Sequence, residues 1–225
     1  MATDRRAPEA VAAPLVEVDG ATRTHGSVQV LAPISLTLGP GEAAAVVGPN
    51  GSGKSTLLSL VAGKDEPTTG RVRVLGLPAG EARLRRREDV ALLLGGLSAY
   101  PDLTVAEHLR LVASAWAGRH PGPDVETALA AAELDRVRDQ LPGELSSGEG
   151  QMFALAATLY RPARLVLLDE PEQRLDARWR AVARRLVAGA LDAGRALLVA
   201  THDPDLRADL AHRGREVVLA APGPR

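Results

Sequence analysis

Residues 48–55 read GPNGSGKS, and this stretch decides how the rest of the chain is interpreted. It follows an apolar run, AAAVV at 43–47, and precedes a helical apolar pattern that begins TLLSL at 56–60. The spacing G-x-x-x-x-G-K-[ST] between a strand and a helix is typical of a phosphate-binding loop. Glycines permit backbone conformations that turn successive N–H groups toward an anion at the positive end of the helix. The stretch therefore predicts a site for ATP or GTP.

The residues of this loop have different predicted tasks. Lys54 reaches the terminal phosphates, and the hydroxyl of Ser55 contributes to a Mg²⁺ shell. A glycine-rich turn with a solvated lysine is the alternative, which the flanking strand and helix patterns disfavour. The predicted nucleotide-binding set in the loop is Gly48, Pro49, Asn50, Gly51, Ser52, Gly53, Lys54, Ser55 and Thr56.

A second apolar run, LVLL at 165–168, ends in Asp169 and Glu170. Open α/β sheets bind ligands at the carboxyl ends of their strands, so both carboxylates are expected at such an edge. We predict that Asp169 holds the metal and that Glu170 is the general base that polarises the attacking water. The alternative is an acidic turn before Pro171.

The hydrophobic pattern along the chain predicts an α/β fold. A capping-box spacing between Thr104 and Glu107 begins a helical region, and RHPGPD at 119–124 is predicted to be a linker. Strand and helix alternate after residue 160. Predicted strands cover 15–18, 34–38, 43–47, 71–75, 90–94, 165–168, 196–200 and 216–219, and predicted helices cover 104–116, 125–140, 149–160 and 177–190.

Composition restricts the function. The 225 residues include 27 basic and 28 acidic side chains, so no chain-wide electrostatic surface for nucleic acid is expected. The absence of cysteine excludes disulfides, thiolate metal ligands and cysteine catalysis. The longest apolar runs have strand length, far below the ~20 residues of a membrane helix. We predict flexible tails at 1–14 and 221–225 and a single domain at 15–220.

Five motifs in order resemble those of the ABC ATPase family. Beside the two motifs above, LSSGE at 145–149 is similar to the family signature LSGGQ, Leu175 and Asp176 match the D-loop, and His202 in THD matches the switch histidine. The resemblance implies a P-loop NTPase core of ABC ATPase type with an antiparallel β subdomain and an inserted helical subdomain at about 97–160. Relatives that organise chromosomes carry a long coiled coil between these motifs, for which ~90 residues leave no room.

The resemblance also implies roles for individual residues. Ser146, Gly148 and Asp176 are expected to bind ATP in a head-to-tail dimer, where the signature contacts the nucleotide of the opposite subunit. His202 is expected to hydrogen-bond the γ-phosphate. His25 stands where the family usually has an aromatic residue that stacks on adenine; an adenine contact and a solvent-exposed loop histidine both stay open.

The function implied is that of an ATP-binding and ATP-hydrolysing subunit that powers solute transport. Its implied partners are a separate transmembrane permease subunit and a second ABC ATPase subunit, identical or different, at the cytoplasmic face of the cell membrane. Gly95 stands where the family has a glutamine, which suggests the alternative of a hydrolysis-poor nucleotide-binding switch or regulatory module.

Two further stretches are unusual: the residues before Leu175 differ from the usual family pattern, and residues 83–87 concentrate positive charge. Glu172, Gln173 and Arg174 place charge in the D-loop, where they either tune a subunit interface or vary freely at the surface. The basic run at 83–87, RLRRR, is interpreted as a solvated face or docking rim.

Overall fold

The computed structural model describes residues 13–96, 99–116 and 124–220. The predicted tails, apart from residues 13 and 14, and residues 119–123 of the predicted linker lie outside the described residues. The strands are β1 (Val16–His25), β2 (Val28–Leu38), β3 (Ala43–Val47), β4 (Thr69–Val74), β5 (Leu77–Pro78), β6 (Val90–Leu93), β7 (Leu165–Asp169), β8 (Ala196–Ala200) and β9 (Gly214–Val218). The helices are α1 (Lys54–Val61), α2 (Ala79–Arg85), α3 (Val105–Trp116), α4 (Val125–Ala131), α5 (Ser147–Tyr160), α6 (Ala177–Asp192) and α7 (Pro204–His212).

The strands form two sheets. An antiparallel sheet has the order β2-β1-β4-β5, and a five-stranded parallel sheet has the order β6-β7-β8-β3-β9. The combination of an antiparallel β unit with a helix-covered parallel sheet is the α/β architecture that the sequence predicts.

The three central strands of the parallel sheet, β3, β7 and β8, are apolar except for Asp169 at the end of β7, because both of their faces are covered. In β3, Ala43, Ala45 and Val47 contribute to a core shared with α3, α4, α5, α6 and α7, which we call the helical core. Ala44 and Val46 contribute to a second core between the two sheets, which contains α1 and is called the inter-sheet core. The parallel sheet therefore separates α1 from the other long helices.

The predicted capping box at the start of α3 is confirmed. The backbone N–H of Thr104 donates to Glu107 Oε2 over 2.8 Å, and the N–H of Glu107 donates to Thr104 Oγ1 over 3.3 Å. The buried His108 then accepts a hydrogen bond from the N–H of Tyr100 at 2.7 Å and packs edge-on against Phe153 of α5.

Among the described residues, no helix combines the length and the apolarity needed to cross a bilayer.

One predicted helix is shorter than expected. The sequence predicts a helix over 125–140, but α4 ends at Ala131, and a short 3-10 helix covers Asp135–Val137. Between them, Glu133 has a left-handed backbone conformation with φ of 56°, and its carboxylate accepts from Arg178 and Arg185 of α6. Tertiary contacts with α6 therefore accompany the break in the local helical pattern.

The sequence interpretation missed α2, β5 and α7. For α7 the signal was present, since Asp203 caps the helix and Pro204 occupies its first turn. The basic run at 83–87 begins in α2, which ends at Arg85.

Strand β9 lies so close to β3 that Gly214 has no space for a side chain. A Cβ added there would lie 1.8 Å from the carbonyl oxygen of Ala43. We predict that Gly214→Ala destabilises the fold by about 1–3 kcal/mol, because the strands must separate to accept the methyl group. Urea unfolding followed by circular dichroism measures the change.

The matched control is Gly189→Ala in the exposed face of α6, where an added Cβ meets no atom within 4 Å. It should raise the free energy of unfolding by about 0.5–1 kcal/mol, since alanine favours a helix over glycine. Equal stability of the wild type and Gly214→Ala would contradict the close pairing of β9 with β3.

Candidate functional site

The predicted motifs meet at one edge of the parallel sheet. Strand β8 lies between β3 and β7, with Ala200 paired to Val46 on one side and to Asp169 on the other. The strands are parallel, so the segments that follow them leave the sheet at the same edge. The phosphate loop, the Asp169–Glu170 pair and the Thr201–His202 segment are therefore neighbours.

The phosphate loop has a backbone that requires glycine at two of its positions. Gly53 has φ of 94°, and a Cβ there would lie 2.5 Å from the carbonyl oxygen of Val30. At Gly48, a Cβ would lie 2.6 Å from Ser52 Oγ and 2.7 Å from the carbonyl oxygen of Leu219. These close approaches hold the loop against β2 and the end of the parallel sheet, so the start of α1 has a fixed place.

Two polar side chains in this loop are buried. Lys54 is 6% exposed, and its Nζ donates to the carbonyl oxygens of Gly48 and Pro49 over 3.0 and 3.2 Å. Ser52 is 2% exposed, and its Oγ has no hydrogen-bond partner. The ammonium therefore lies inside the curve of the loop, where a phosphate group would also find the N-terminus of α1.

The remaining loop residues are accessible to a ligand. Pro49, Asn50, Gly51 and Ser55 are exposed, and Thr56 is half-buried. Within the described residues there is no group of three or more histidine, aspartate or glutamate side chains that could hold a metal ion. The donor set of Ser55 and Asp169 nevertheless fits Mg²⁺, which proteins bind with one or two carboxylates together with phosphate oxygens and water.

Glu170 is held in an unusual backbone conformation at the end of β7. Its φ is 48°, and its N–H donates to the carbonyl oxygen of Ala200 over 2.9 Å. Its Oε1 lies 3.3 Å from His202 Nε2, and its Oε2 accepts from the amide of Gln173 over 3.1 Å. Left-handed backbone at a non-glycine residue is costly and clusters at functional sites. Both carboxylate oxygens thus have defined neighbours.

Glu172 does not lie at the surface, so the interpretation of the charged D-loop is wrong for this residue. It is 8% exposed, and its Oε1 accepts from Thr201 Oγ1 and from the N–H of His202, both at 2.7 Å. The two residues after it, Gln173 and Arg174, are exposed as expected for an interface or a free surface.

The signature segment forms the capped start of α5. Ser146 is the N-cap: its Oγ accepts from the N–H of Glu149 at 3.3 Å, and its own N–H donates to Glu149 Oε2 at 2.8 Å. Gly148 has no space for a side chain, since an added Cβ would lie 2.9 Å from the ring of Trp179 in α6. The start of α5 is thereby exposed at Ser146 and closed against α6 at Gly148.

A glutamine that the sequence interpretation left without a role connects α5 to the turn after β7. The amide of Gln151 donates to the carbonyl oxygens of Glu170 and Pro171 over 3.3 and 3.2 Å. No feature of the sequence predicts this contact, because it depends on how α5 packs beside β7.

The other predicted nucleotide contacts have local partners. Asp176 caps α6 by accepting from the N–H of Trp179 at 2.8 Å. The His25 side chain, 58% exposed at the end of β1, accepts from Arg23 Nε at 3.2 Å and lies 3.8 Å from Asp65. Both roles in nucleotide binding stay predictions.

Gly95 follows β6 with φ of 82°, and an added Cβ there would meet no atom within 4 Å. Gln151 and Gln173, the two glutamines that contact Glu170 or its neighbour Pro171, belong to α5 and to the turn after β7. The position of the family glutamine is thus open space next to the site.

The basic run contributes to a surface cavity of about 390 Å³. Arg83 and Arg87 line it together with Lys64 and Arg161, above apolar residues of α1, α2 and β6. Positive charge is therefore concentrated locally on a chain whose formal net charge is −1.

Comparisons with known proteins agree with this geometry. A family model described as ABC transporter matches residues 31–173, more than half of the chain. The arabinose import ATP-binding protein AraG 2 of Burkholderia thailandensis is 35% identical over 200 residues, which cover 83% of this chain and 37% of that protein. The lipoprotein-releasing system ATP-binding protein LolD 1 of Rhodospirillum rubrum is 34% identical over 207 residues, covering 85% and 90%. The chain thus spans little more than a third of the arabinose relative and most of LolD 1.

A solved structure has the same fold. It is the dimeric post-hydrolysis state of the ATP-binding cassette MJ0796 bound to ADP and Pi, with a TM-score of 0.75 and 25% identity over 91% of this chain and 94% of that one. The predicted P-loop NTPase core of ABC ATPase type is therefore confirmed. With its family match, its relatives and its five ordered motifs, the chain belongs to the ABC transporter family as an ATP-binding cassette.

Proposed function

We propose that the chain is the ATP-binding and ATP-hydrolysing subunit that powers solute transport by an ABC transporter. The observation that carries this proposal is the meeting of a phosphate loop, a carboxylate pair and a histidine at the ends of three adjacent strands. Phosphoryl transfer needs positioning and charge stabilisation around the γ-phosphate, and these groups supply both.

In this proposal, the loop and Asp169 hold Mg-ATP. Lys54 exchanges its two backbone carbonyl partners for the phosphates, and the Ser52 hydroxyl gains the partner that it lacks. Ser55 and Asp169 hold Mg²⁺, which neutralises charge on the phosphate oxygens. His25 either stacks on the adenine or stays in solvent with Arg23.

Glu170 acts on the attacking water, and His202 acts on the transferred phosphate. Glu170 accepts a hydrogen bond from the attacking water and takes its proton. His202, whose Nε2 lies 3.3 Å from Glu170 Oε1, hydrogen-bonds the γ-phosphate in this proposal and responds when that phosphate is lost. Gln173 orients the second carboxylate oxygen.

A head-to-tail dimer completes the site. The helix that begins at Lys54 lies in the inter-sheet core, while the signature helix α5 lies in the helical core on the opposite face of the parallel sheet. We propose that Ser146 and Gly148 therefore serve the nucleotide of a second subunit, and that Asp176 lies at the same interface. The second subunit is either identical or a different ABC ATPase.

We further propose a separate transmembrane permease as the partner, with this chain on the cytoplasmic face of the cell membrane. AraG 2 is named as an import protein and LolD 1 as part of a lipoprotein-releasing system, and these names support a function at a membrane. They do not indicate which solute this chain would help to transport. The proposed ATPase domain covers 15–220, with its helical subdomain at about 97–160.

A hydrolysis-poor switch is the second candidate, and Gly95 is the observation that favours it. The contact between Glu170 and His202 favours hydrolysis instead, because both groups are present and adjacent.

Replacing Lys54 with alanine should lower the ATPase rate at least about a hundredfold, because the charge and the hydrogen bonds to the phosphates are lost together. This decrease corresponds to a rise in the activation free energy of roughly 2.7 kcal/mol or more. The matched control is Lys64→Ala, which removes the chain's other lysine, an exposed one. Phosphate release at saturating Mg-ATP is measured for both. An ATPase rate of Lys54→Ala equal to that of Lys64→Ala would refute the site.

Replacing Glu170 with glutamine should abolish turnover but leave ATP binding, because only the base is lost. With Mg-ATP, this variant should elute as a dimer in size-exclusion chromatography. Elution as a monomer at every ATP concentration would count against the head-to-tail dimer.

Gly148→Ala, added to Glu170→Gln, tests the signature. The new Cβ would lie 2.9 Å from the Trp179 ring and 3.3 Å from the carbonyl oxygen of Arg174, so the packing of α5 against α6 must change and the dimer should be lost. Gly150→Ala is the control, since a Cβ there meets no atom within 4 Å. If both alanine variants form the dimer equally well, the signature segment is not part of the dimer interface.

Gly95→Gln should raise the basal ATPase rate roughly tenfold, since it returns one polar group to the transition state. The left-handed φ of 82° makes a side chain costly at this position, so the gain in basal ATPase rate should be smaller than an unstrained glutamine would give. Gly96→Gln, at a neighbouring position without positive φ, is the control. Equal basal rates in the wild type and both variants would show that residue 95 takes no part in turnover.

A further inference from the structure

Glu172 is a buried carboxylate that none of the proposed catalytic steps uses. Its Oε1 accepts three hydrogen bonds, from Thr201 Oγ1 at 2.7 Å, from the N–H of His202 at 2.7 Å and from the N–H of Asp203 at 3.2 Å. Its Oε2 is buried without a partner. A carboxylate removed from water in this way is costly, so the three donors are the interactions that keep it there.

The segment that donates these bonds, residues 201–203, has further hydrogen bonds of its own. Thr201 and Asp203 are 2% and 6% exposed, and the N–H of Asp203 also donates to Thr201 Oγ1 at 3.0 Å. Asp203 Oδ1 caps α7 by accepting from the N–H groups of Asp205 and Leu206 at 3.0 and 2.8 Å. His202 is thus the exposed residue between two buried anchors.

The backbone of Glu172 belongs to the turn between β7 and α6. In this turn the N–H of Gln173 donates to the carbonyl oxygen of Glu170 at 3.0 Å, and the N–H of Leu175 donates to that of Glu172 at 3.2 Å. The turn therefore connects the proposed base to Asp176, which caps α6 at the proposed dimer interface. Glu172 is a buried side chain of this turn, and its hydrogen bonds reach the segment that follows β8.

We propose that Glu172 is a positioning residue that ties the D-loop turn to the loop of His202. By fixing the backbone N–H of His202, it keeps the imidazole 3.3 Å from Glu170 and in place for the γ-phosphate. A displacement of the turn by a second subunit is transmitted to His202 through the same carboxylate. This inference rests on the proposed function and adds a route by which the dimer interface reaches the histidine.

The test compares Glu172→Leu, which removes the acceptors at similar volume, with Glu172→Gln, which keeps a carbonyl acceptor. Steady-state kinetics should show kcat of Glu172→Leu reduced at least about tenfold with KM for ATP within about twofold, because the phosphate loop is unchanged. Glu172→Gln should recover kcat to within about threefold of the wild type. A value of kcat for Glu172→Leu within twofold of the wild type would overturn the proposal.

Hydrogen–deuterium exchange of the amides at 201–203 gives a second measurement that does not need ATP hydrolysis. Exchange there should be at least about tenfold faster in Glu172→Leu and close to wild type in Glu172→Gln. Unchanged exchange in Glu172→Leu would reject the tie. If the wild type hydrolyses no ATP but exchange at 201–203 is faster in Glu172→Leu than in the wild type, the tie is supported and the proposed function is rejected.

Leu129→Ala tests whether a loss of general stability alone would explain the effect of Glu172→Leu. Leu129 is a fully buried residue of α4 in the helical core. This variant should lower the melting temperature while leaving kcat and the exchange at 201–203 unchanged. A loss of kcat in Leu129→Ala as large as in Glu172→Leu would assign the effect to general stability and overturn the proposal.

Discussion

The register of β8 between β3 and β7 is the constraint on which the site depends. Ala200 pairs with Val46 on one side and Asp169 on the other, so the segments after the three strands emerge together. A shift of β8 by one residue would exchange the side chains that face the two cores and would also move His202 away from Glu170. Close packing on both faces of β8 opposes such a shift, because Leu197 and Val199 lie in the helical core while Ala196, Leu198 and Ala200 lie in the inter-sheet core.

The same sheet also explains why the proposed nucleotide site needs residues from two chains. The phosphate loop leads into α1 in the inter-sheet core, and Ser146 begins α5 in the helical core, so the sheet lies between the two helices. Both helices begin near the carboxyl edge, as the contact of Gln151 with the turn after β7 shows for α5. A second subunit is the simplest way to bring a signature to a phosphate loop under this arrangement.

Much of the fold and the core of the site could be predicted because their signals are local. The phosphate loop and the run before Asp169 carry their strand and helix context in a few neighbouring residues, and the Ser146–Glu149 capping box depends on i to i+3 spacing alone. The features that were missed depend on distant residues.

Glu133 ends a predicted helix where it contacts arginines of α6, and Glu172 looks like a surface charge until β8 is placed beside it. The requirement for glycine at 148 likewise comes from Trp179, which lies on another helix. Such positions cannot be found from periodicity, because a single sequence does not state which helix lies next to which strand.

A crystal structure of the Glu170→Gln chain with Mg-ATP tests the proposed nucleotide site most directly. We expect two chains in a head-to-tail dimer, with the γ-phosphate within hydrogen-bond distance of Lys54 and His202 of one chain and of Ser146 of the other. Mg²⁺ should lie beside Ser55 and Asp169. A nucleotide bound away from the ends of β3, β7 and β8, or contacted by Ser146 of its own chain, would contradict the account.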